Sequence, residues 1–286
     1  MLEQRAVTAL MGRLIRGLDQ LPPFSPVLNK LLATMAGEEV SFARVAALIE
    51  SDAVLAGNVL KVVNSALYGF RGTVNSVRHA VAILGADKLR NLALGFSVAR
   101  MWTHVPASEG WSGSKFNHHS LAVGILSDLL AQRAEAPYPE GAFVAGLLHD
   151  IGKLLIANSV PAEFGGILWL LKEGGANETE CEMEMLGTTH AELSGLALER
   201  WNLPLPIRQS AAFHHDPDRA DQGRLHLGHV VYAADRLANE LGHNIGRYFD
   251  QSPRSDSVFD TFGVAEQMPR ILQEFEMEFE SVKGFL

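Results

Sequence analysis

The stretch Ala142-Phe-Val-Ala-Gly-Leu-Leu-His-Asp-Ile-Gly-Lys153 decides how this chain is read. It is almost wholly apolar until His149 and Asp150 stand side by side, with Lys153 one turn on. The pattern predicts a central helix that runs to about Asn158. A carboxylate at the end of an apolar helix is unfavourable to bury unless it is paired or binds a metal. The helix is therefore expected to supply the central ligands of a metal centre, and His-bearing segments lie on both sides of it.

Working outward, the periodicity predicts helices and nothing else. Downstream, Pro161 opens a helix ending near Gly174-Gly175. Glu178–Leu186, Thr188–Trp201, Pro204–His215 and Arg224–Leu241 follow, and an acidic amphipathic helix carrying Ile271, Phe275 and Phe279 closes the chain. Upstream, Phe116–Gln132 carries His118 and His119. Before it, Leu2–Leu18 places Leu10, Leu14, Ile15 and Leu18 at helical spacing. Ser25-Pro26 is a helix start with Gly37 as its stop. Ser41 and Asp52 cap two short helices, and Val77–Leu84 and Lys88–Trp102 complete an N-terminal half. The small, polar run Thr103–Ser114 marks the expected boundary. The reading is all-α: an N-terminal helical part over 1–105, a second over 115–245 and a tail over 246–286.

With 286 residues, 47% hydrophobic, the chain can bury a sizeable core. Its net charge of −9 argues against broad binding to a phosphate backbone, which needs clustered Lys and Arg. The Ser41–Ser65 helix pair could pass for a helix-turn-helix, but Arg44, Glu50, Asp52 and Lys61 cancel, so helix-on-helix packing is expected and nucleic acid is not. A single cysteine, Cys181, forbids an intrachain disulfide and suits a reducing compartment. No run reaches membrane-spanning length, so a cytoplasmic protein without a membrane partner is expected.

Residues three, four and seven apart share a helix face, so polar groups in these stripes point where their apolar neighbours point. His119 lies in line with Val123, Leu126 and Leu130. His149 follows Ala142, Ala145 and Gly146; His190 precedes Leu193 and Ala197; His214 follows Ile207 and Ala211; Asp235 lies between Val231 and Ala238. Singly, each has an ordinary explanation. A lone inward histidine is a hydrogen-bonded core residue, His214-His215 and Lys153 suit the negative ends of helix dipoles, and Asp235 suits Arg236. Spacing alone places His118 as well as His119. Together, several imidazoles and two inward carboxylates are hard to satisfy among themselves, whereas a divalent Fe, Mn, Zn or Ni ion accepts both donor types.

The order His119-Ser120, His149-Asp150-x-Gly-Lys153, His190, His214-His215 and Asp235 resembles the HD phosphohydrolase superfamily. Leu21-Pro-Pro-Phe24, the stretch from Asp52 to Asn64-Ser65-Ala-Leu-Tyr68, Val77 to Gly85, and Trp201-Asn-Leu-Pro204 resemble its HDOD branch, the HD-related output domains of bacterial signalling. The resemblance implies one ion on His119, His149, Asp150 and Asp235. It implies a second on His190, His214 and His215, with Asp150 bridging. Ser120 favours His119 over His118, and Lys153 would face a substrate phosphate. Asp150 and Lys153 would be the catalytic pair of any phosphohydrolase here. Two departures stand out. The Gly-Tyr-Pro signature of the relatives that cleave cyclic dinucleotides is replaced after His215 by Asp216-Pro-Asp-Arg-Ala-Asp221, and Lys115 stands where some of them carry Glu. The resemblance thus implies a regulatory output module with a retained metal centre and a signalling protein partner. The alternative is a metal-dependent phosphohydrolase acting on a nucleotide or other phosphate ester.

Overall fold

A computed structural model describes residues 2–21, 23–34, 41–65, 73–101, 111–134, 136–174, 177–220, 224–246 and 262–285. Every regular element among them is helical, as the sequence predicts. In chain order these are α1 (Leu2–Asp19), α2 (Pro26–Ala33), α3 (Phe42–Glu50), α4 (Ala53–Val63), α5 (Val77–Leu84), α6 (Ala86–Met101) and α7 (Gly113–Arg133). They continue with α8 (Ala142–Leu148), α9 (Ile151–Ser159), α10 (Pro161–Glu173), α11 (Glu178–Leu186), α12 (His190–Arg200), α13 (Leu205–Ala212), α14 (Leu227–Glu240) and α15 (Met268–Val282). The caps read from the sequence are in place: Ser25, Ser41 and Asp52 each accept a backbone N–H from the first turn that follows. The expected stop at Gly37, the end of the α4 motif at Tyr68, and Trp102 with most of the expected boundary loop lie outside the described residues. Among the described residues, no single helix is long and apolar enough to cross a membrane.

The chain forms two compact units, one of Met1–Pro22 with Val105–Met268, the other of Pro23–His104 with Pro269–Leu286. These units differ at both ends from a division by chain order, 1–105, 115–245 and 246–286. α1 packs against α9 and α11, burying Leu10, Leu14 and Leu18, while the Arg13 guanidinium donates to Glu163 at 2.7 Å. Ile15, expected on the same face, is exposed. At the other end, α15 buries Ile271, Phe275 and Phe279 in the second unit, where Glu278 pairs with Lys88 of α6. Amphipathic helices at chain ends declare a buried face but not its partner.

The expected continuous central helix is in fact two, α8 and α9, joined by a turn at His149-Asp150. The Gly152 N–H leaves the helical ladder and donates to Ser194 Oγ of α12 at 2.9 Å, while the Lys153 N–H closes a tighter turn on the Asp150 carbonyl. The break frees His149 and Asp150 from a regular face and turns both toward one interior point.

Candidate metal centre

All the candidate ligands lie in the first of these units. His119 comes from the second turn of α7, His149 and Asp150 from the α8–α9 turn, and His190 from the first residue of α12. His214 and His215 follow the end of α13, and Asp235 faces in from α14. His119, His149, Asp150, His190, His214 and Asp235 are buried, and His215 is partly so. The choice that spacing left open is settled by burial, since His118 is only half-buried.

These side chains meet as two sets that share one carboxylate. Asp150 Oδ2 lies 3.6 Å from His119 Nε2 and 3.4 Å from His149 Nε2, and Asp235 Oδ1 lies 3.2 and 3.7 Å from the same two nitrogens. Asp150 Oδ1 lies 3.3 Å from His190 Nε2 and 3.5 Å from His214 Nε2. His190 Nε2 is in turn 3.4 Å from His214 Nε2 and 2.9 Å from His215 Nε2. Donors bound about 2.1 Å from one transition-metal ion sit about 3.0–3.4 Å apart in octahedral or tetrahedral arrangement. The observed spacing is that of ligand shells a few tenths of an ångström expanded.

The far side of each ring explains why Nε2 is the atom presented. Nδ1 of His149 bonds the Gly146 carbonyl at 2.7 Å and Nδ1 of His214 the Ala211 carbonyl at 2.8 Å, both carbonyls left over at helix ends. Nδ1 of His119 bonds the His243 carbonyl at 2.7 Å. Nδ1 of His190 bonds Glu182 Oε2 at 2.7 Å, and the same oxygen accepts the His190 backbone N–H. These partners can only accept, so Nδ1 carries the proton and Nε2 turns a lone pair inward. Nε2 of His119 and of His149 has no hydrogen-bond partner although it is buried, and neither Asp150 oxygen accepts a well-directed hydrogen bond. Unsatisfied buried acceptors converging on one point are what a cation resolves. The residues fit divalent cations.

Without a cation the site holds protons instead. Burial alone would depress His149, but the Asp150 and Asp235 carboxylates outweigh it and hold the ring at about 9. Burial of His190 is likewise outweighed, chiefly by Glu182 and Glu178, which hold it at about 10. Burial and the neighbouring imidazoles push His214 and His215 down. Asp150 and Asp235 stay well below the usual carboxylate range despite burial, held there by His149 and Lys153 and by His119 and His149 respectively. A folded-state pKa above the free value of 6.5 gives stability that is complete below pH 6.5 and is lost as pH climbs through that pKa. The depressed histidines act only below their free value, and the depressed aspartates only in acid. Chelator-treated protein is therefore expected to lose thermal stability steadily between about pH 7 and 10, whereas protein supplied with Mn(II) stays level. Thermal denaturation followed by circular dichroism at each pH checks this, and a flat profile for the chelated protein would contradict it.

Sequence reasoning missed two members of the site. Glu178 and Glu182, on α11, are both buried: Glu182 orients His190, and Glu178 Oε2 lies 3.0 Å from the Lys153 ammonium. Lys153 is itself buried, with Nζ 2.8 Å from Asp150 Oδ2. Its charge is engaged by two interior carboxylates.

Comparison with known proteins agrees with this architecture. The chain is 24% identical, over 280 residues and 97% of its length, to an uncharacterised protein of Treponema pallidum (strain Nichols), and spans about half the length of that relative. The fold matches a solved HDOD domain protein of unknown function from Geobacter sulfurreducens, with a TM-score of 0.77 at 24% identity over 99% of this chain and 97% of that one. It also matches a protein of Shewanella amazonensis SB2B described only as a candidate phosphohydrolase, with a TM-score of 0.71 at 25% identity over 94% and 98%. The HDOD domain model matches residues 21–217, which takes in every ligand except Asp235. The chain belongs to the HDOD family.

Proposed function

We propose that this chain is a signalling output module of the HDOD type whose His/Asp centre holds two divalent transition-metal cations. One observation carries the reading: Asp150 turns one oxygen to His119 and His149 and the other to His190 and His214. Charge accommodates either one ion or two. Asp150, Asp235, Glu178 and Glu182 are buried with one ammonium, Lys153, so with all four ionised and neutral imidazoles this interior carries three net negative charges. One divalent ion leaves a single negative charge; two leave a single positive one, which suits an anionic ligand. His119, His149, Asp150 and Asp235 would hold one cation, and His190, His214, His215 and Asp150 the other. Glu182 and the carbonyls of Gly146, Ala211 and His243 fix the rings that do so.

Bound divalent ions lower the pKa of a coordinated water and polarise phosphoryl oxygens, so a metal-dependent phosphohydrolase acting on a nucleotide or phosphate ester is the second reading. The residual positive charge favours it, as does the likeness to the candidate phosphohydrolase of S. amazonensis. In the module reading, a signalling protein partner reads the loaded state. Nucleic acid is a poor fit along α3–α4, where Glu50 pairs with Arg78 and Asp52 with Arg100. Incubation with mononucleotides and cyclic dinucleotides, with Mn or Fe added, separates the readings. The expected result is about two bound metal equivalents and no phosphate released. Release that depends on Asp150 would establish the hydrolase instead, and failure to bind metal would overturn both.

A further inference from the structure

Given the two-cation reading above, we propose that Glu178 is a positioning residue that sets the order in which the two positions fill, acting through the Lys153 ammonium it holds. The two Asp150 oxygens are not equivalent. Oδ1 faces the His190 and His214 nitrogens, at 3.3 and 3.5 Å. Oδ2 faces His119 and His149 but also lies 2.8 Å from Lys153 Nζ. A built-in cation thus already occupies the oxygen that the His119/His149/Asp235 position needs, and like charges on one oxygen repel strongly in a buried site. The position around His190, His214 and His215 is repelled by Lys153 as well, but does not need the oxygen that Lys153 holds, and fills first.

Glu178 supplies the other side of the balance. Its Oε2, on α11, lies 3.0 Å from Lys153 Nζ, and neither Glu178 oxygen accepts a hydrogen bond. His190 Nδ1 is 3.9 Å from Glu178 but is already committed to Glu182 at 2.7 Å. Lys153 is therefore the nearer charge partner of Glu178. Glu178 gives the ammonium somewhere to stay when a metal ion takes Asp150 Oδ2, without sending the charge out of a buried site. Removing Lys153 removes the competitor. Removing the Glu178 charge tightens the competitor's hold on Asp150.

The two neighbours of one ion pair therefore have opposite effects on the same binding event. The test is calorimetric titration of the full chain with Mn(II), with free ion counted by electron paramagnetic resonance. The unmodified protein is expected to take two equivalents of unequal affinity, the weaker abolished by His119→Ala and the tighter by His215→Ala. Lys153→Met is expected to strengthen the weaker equivalent at least about tenfold, and Glu178→Gln to weaken it at least about tenfold, with the tighter one changed less than about threefold in either. The double variant, which retains the balance of buried charge, is expected to behave as Lys153→Met does at the weaker position, because Glu178 acts on that position through Lys153. Equal shifts of the same sign in the two single variants, or a double variant resembling Glu178→Gln, would overturn the proposal. If the unmodified protein binds no Mn(II), it is the two-cation reading that fails; if it binds two equivalents but the variants do not diverge, only the role of Glu178 fails.

Discussion

Asp150→Asn is expected to abolish metal binding at both positions, whereas Asp235→Asn abolishes it at one. Asparagine keeps the shape of the side chain but turns an anionic bridge into a neutral amide that can offer only one oxygen. Asp150 reaches all four of His119, His149, His190 and His214, at 3.3–3.6 Å. Changes in groups that merely orient a ligand weaken metal affinity about 10–100-fold, so loss of the bridge itself is expected to cost more than about 100-fold at each position. The chain should still fold, because Lys153 keeps Glu178 at 3.0 Å. A stability loss of about 2–3 kcal/mol is expected, less than the roughly 3–5 kcal/mol that follows when a buried charge is left with no partner. Asp235 approaches only His119 and His149 among the ion-pair distances of the centre, at 3.2 and 3.7 Å, so its loss leaves the His190 set intact. Elemental analysis after Mn supplementation and desalting reads both. Asp150→Asn should carry less than about a tenth of an equivalent and Asp235→Asn about one. A full equivalent in Asp150→Asn would show that the two sets do not share this carboxylate.

Which side chains line the centre was legible because each ligand interrupts an apolar stripe of known period, and period fixes direction without any knowledge of the partner helix. The helix starts were legible for the same local reason, since Ser25, Ser41 and Asp52 satisfy N–H groups only two or three residues away. What could not be read depends on a second segment. The break at His149-Asp150 needs Ser194, forty-odd residues on, to take the Gly152 N–H. The partners of α1 and α15 lie far away along the chain, in α9 and α6. Glu178 and Glu182 were passed over because Glu178-Thr-Glu-Cys-Glu-Met-Glu184 looks like a solvated acidic face. Their signal was there: they stand four residues apart, on the side of α11 that also buries Cys181.

Gly152→Ala is expected to destabilise the chain by at least about 3 kcal/mol, the upper range for forced overpacking. A Cβ at Gly152 would stand 2.0 Å from the His190 carbonyl oxygen, 2.7 Å from its carbon and 2.9 Å from its Cα. All three are backbone atoms at the start of α12, so no rotamer change relieves the clash and the two helices must part. Parting them breaks the bond from the Gly152 N–H to Ser194 Oγ and carries His190 away from Asp150 Oδ1, now 3.3 Å distant. For a chain of this size the loss corresponds to a fall in Tm of roughly 6–12 °C. Gly165→Ala is the matched control: Gly165 lies on the exposed face of α10 with nothing within 4 Å of its added Cβ, so the change should be neutral or stabilising by up to about 1 kcal/mol. The metal readout separates local from global damage. Below its own Tm, Gly152→Ala should lose the equivalent held by His190, His214 and His215 and keep the one on His119, His149 and Asp235, because only the first depends on where α12 sits. A Gly152→Ala protein with the parent Tm and both equivalents would mean that the close backbone contact of α9 with α12 does not hold His190 against Asp150.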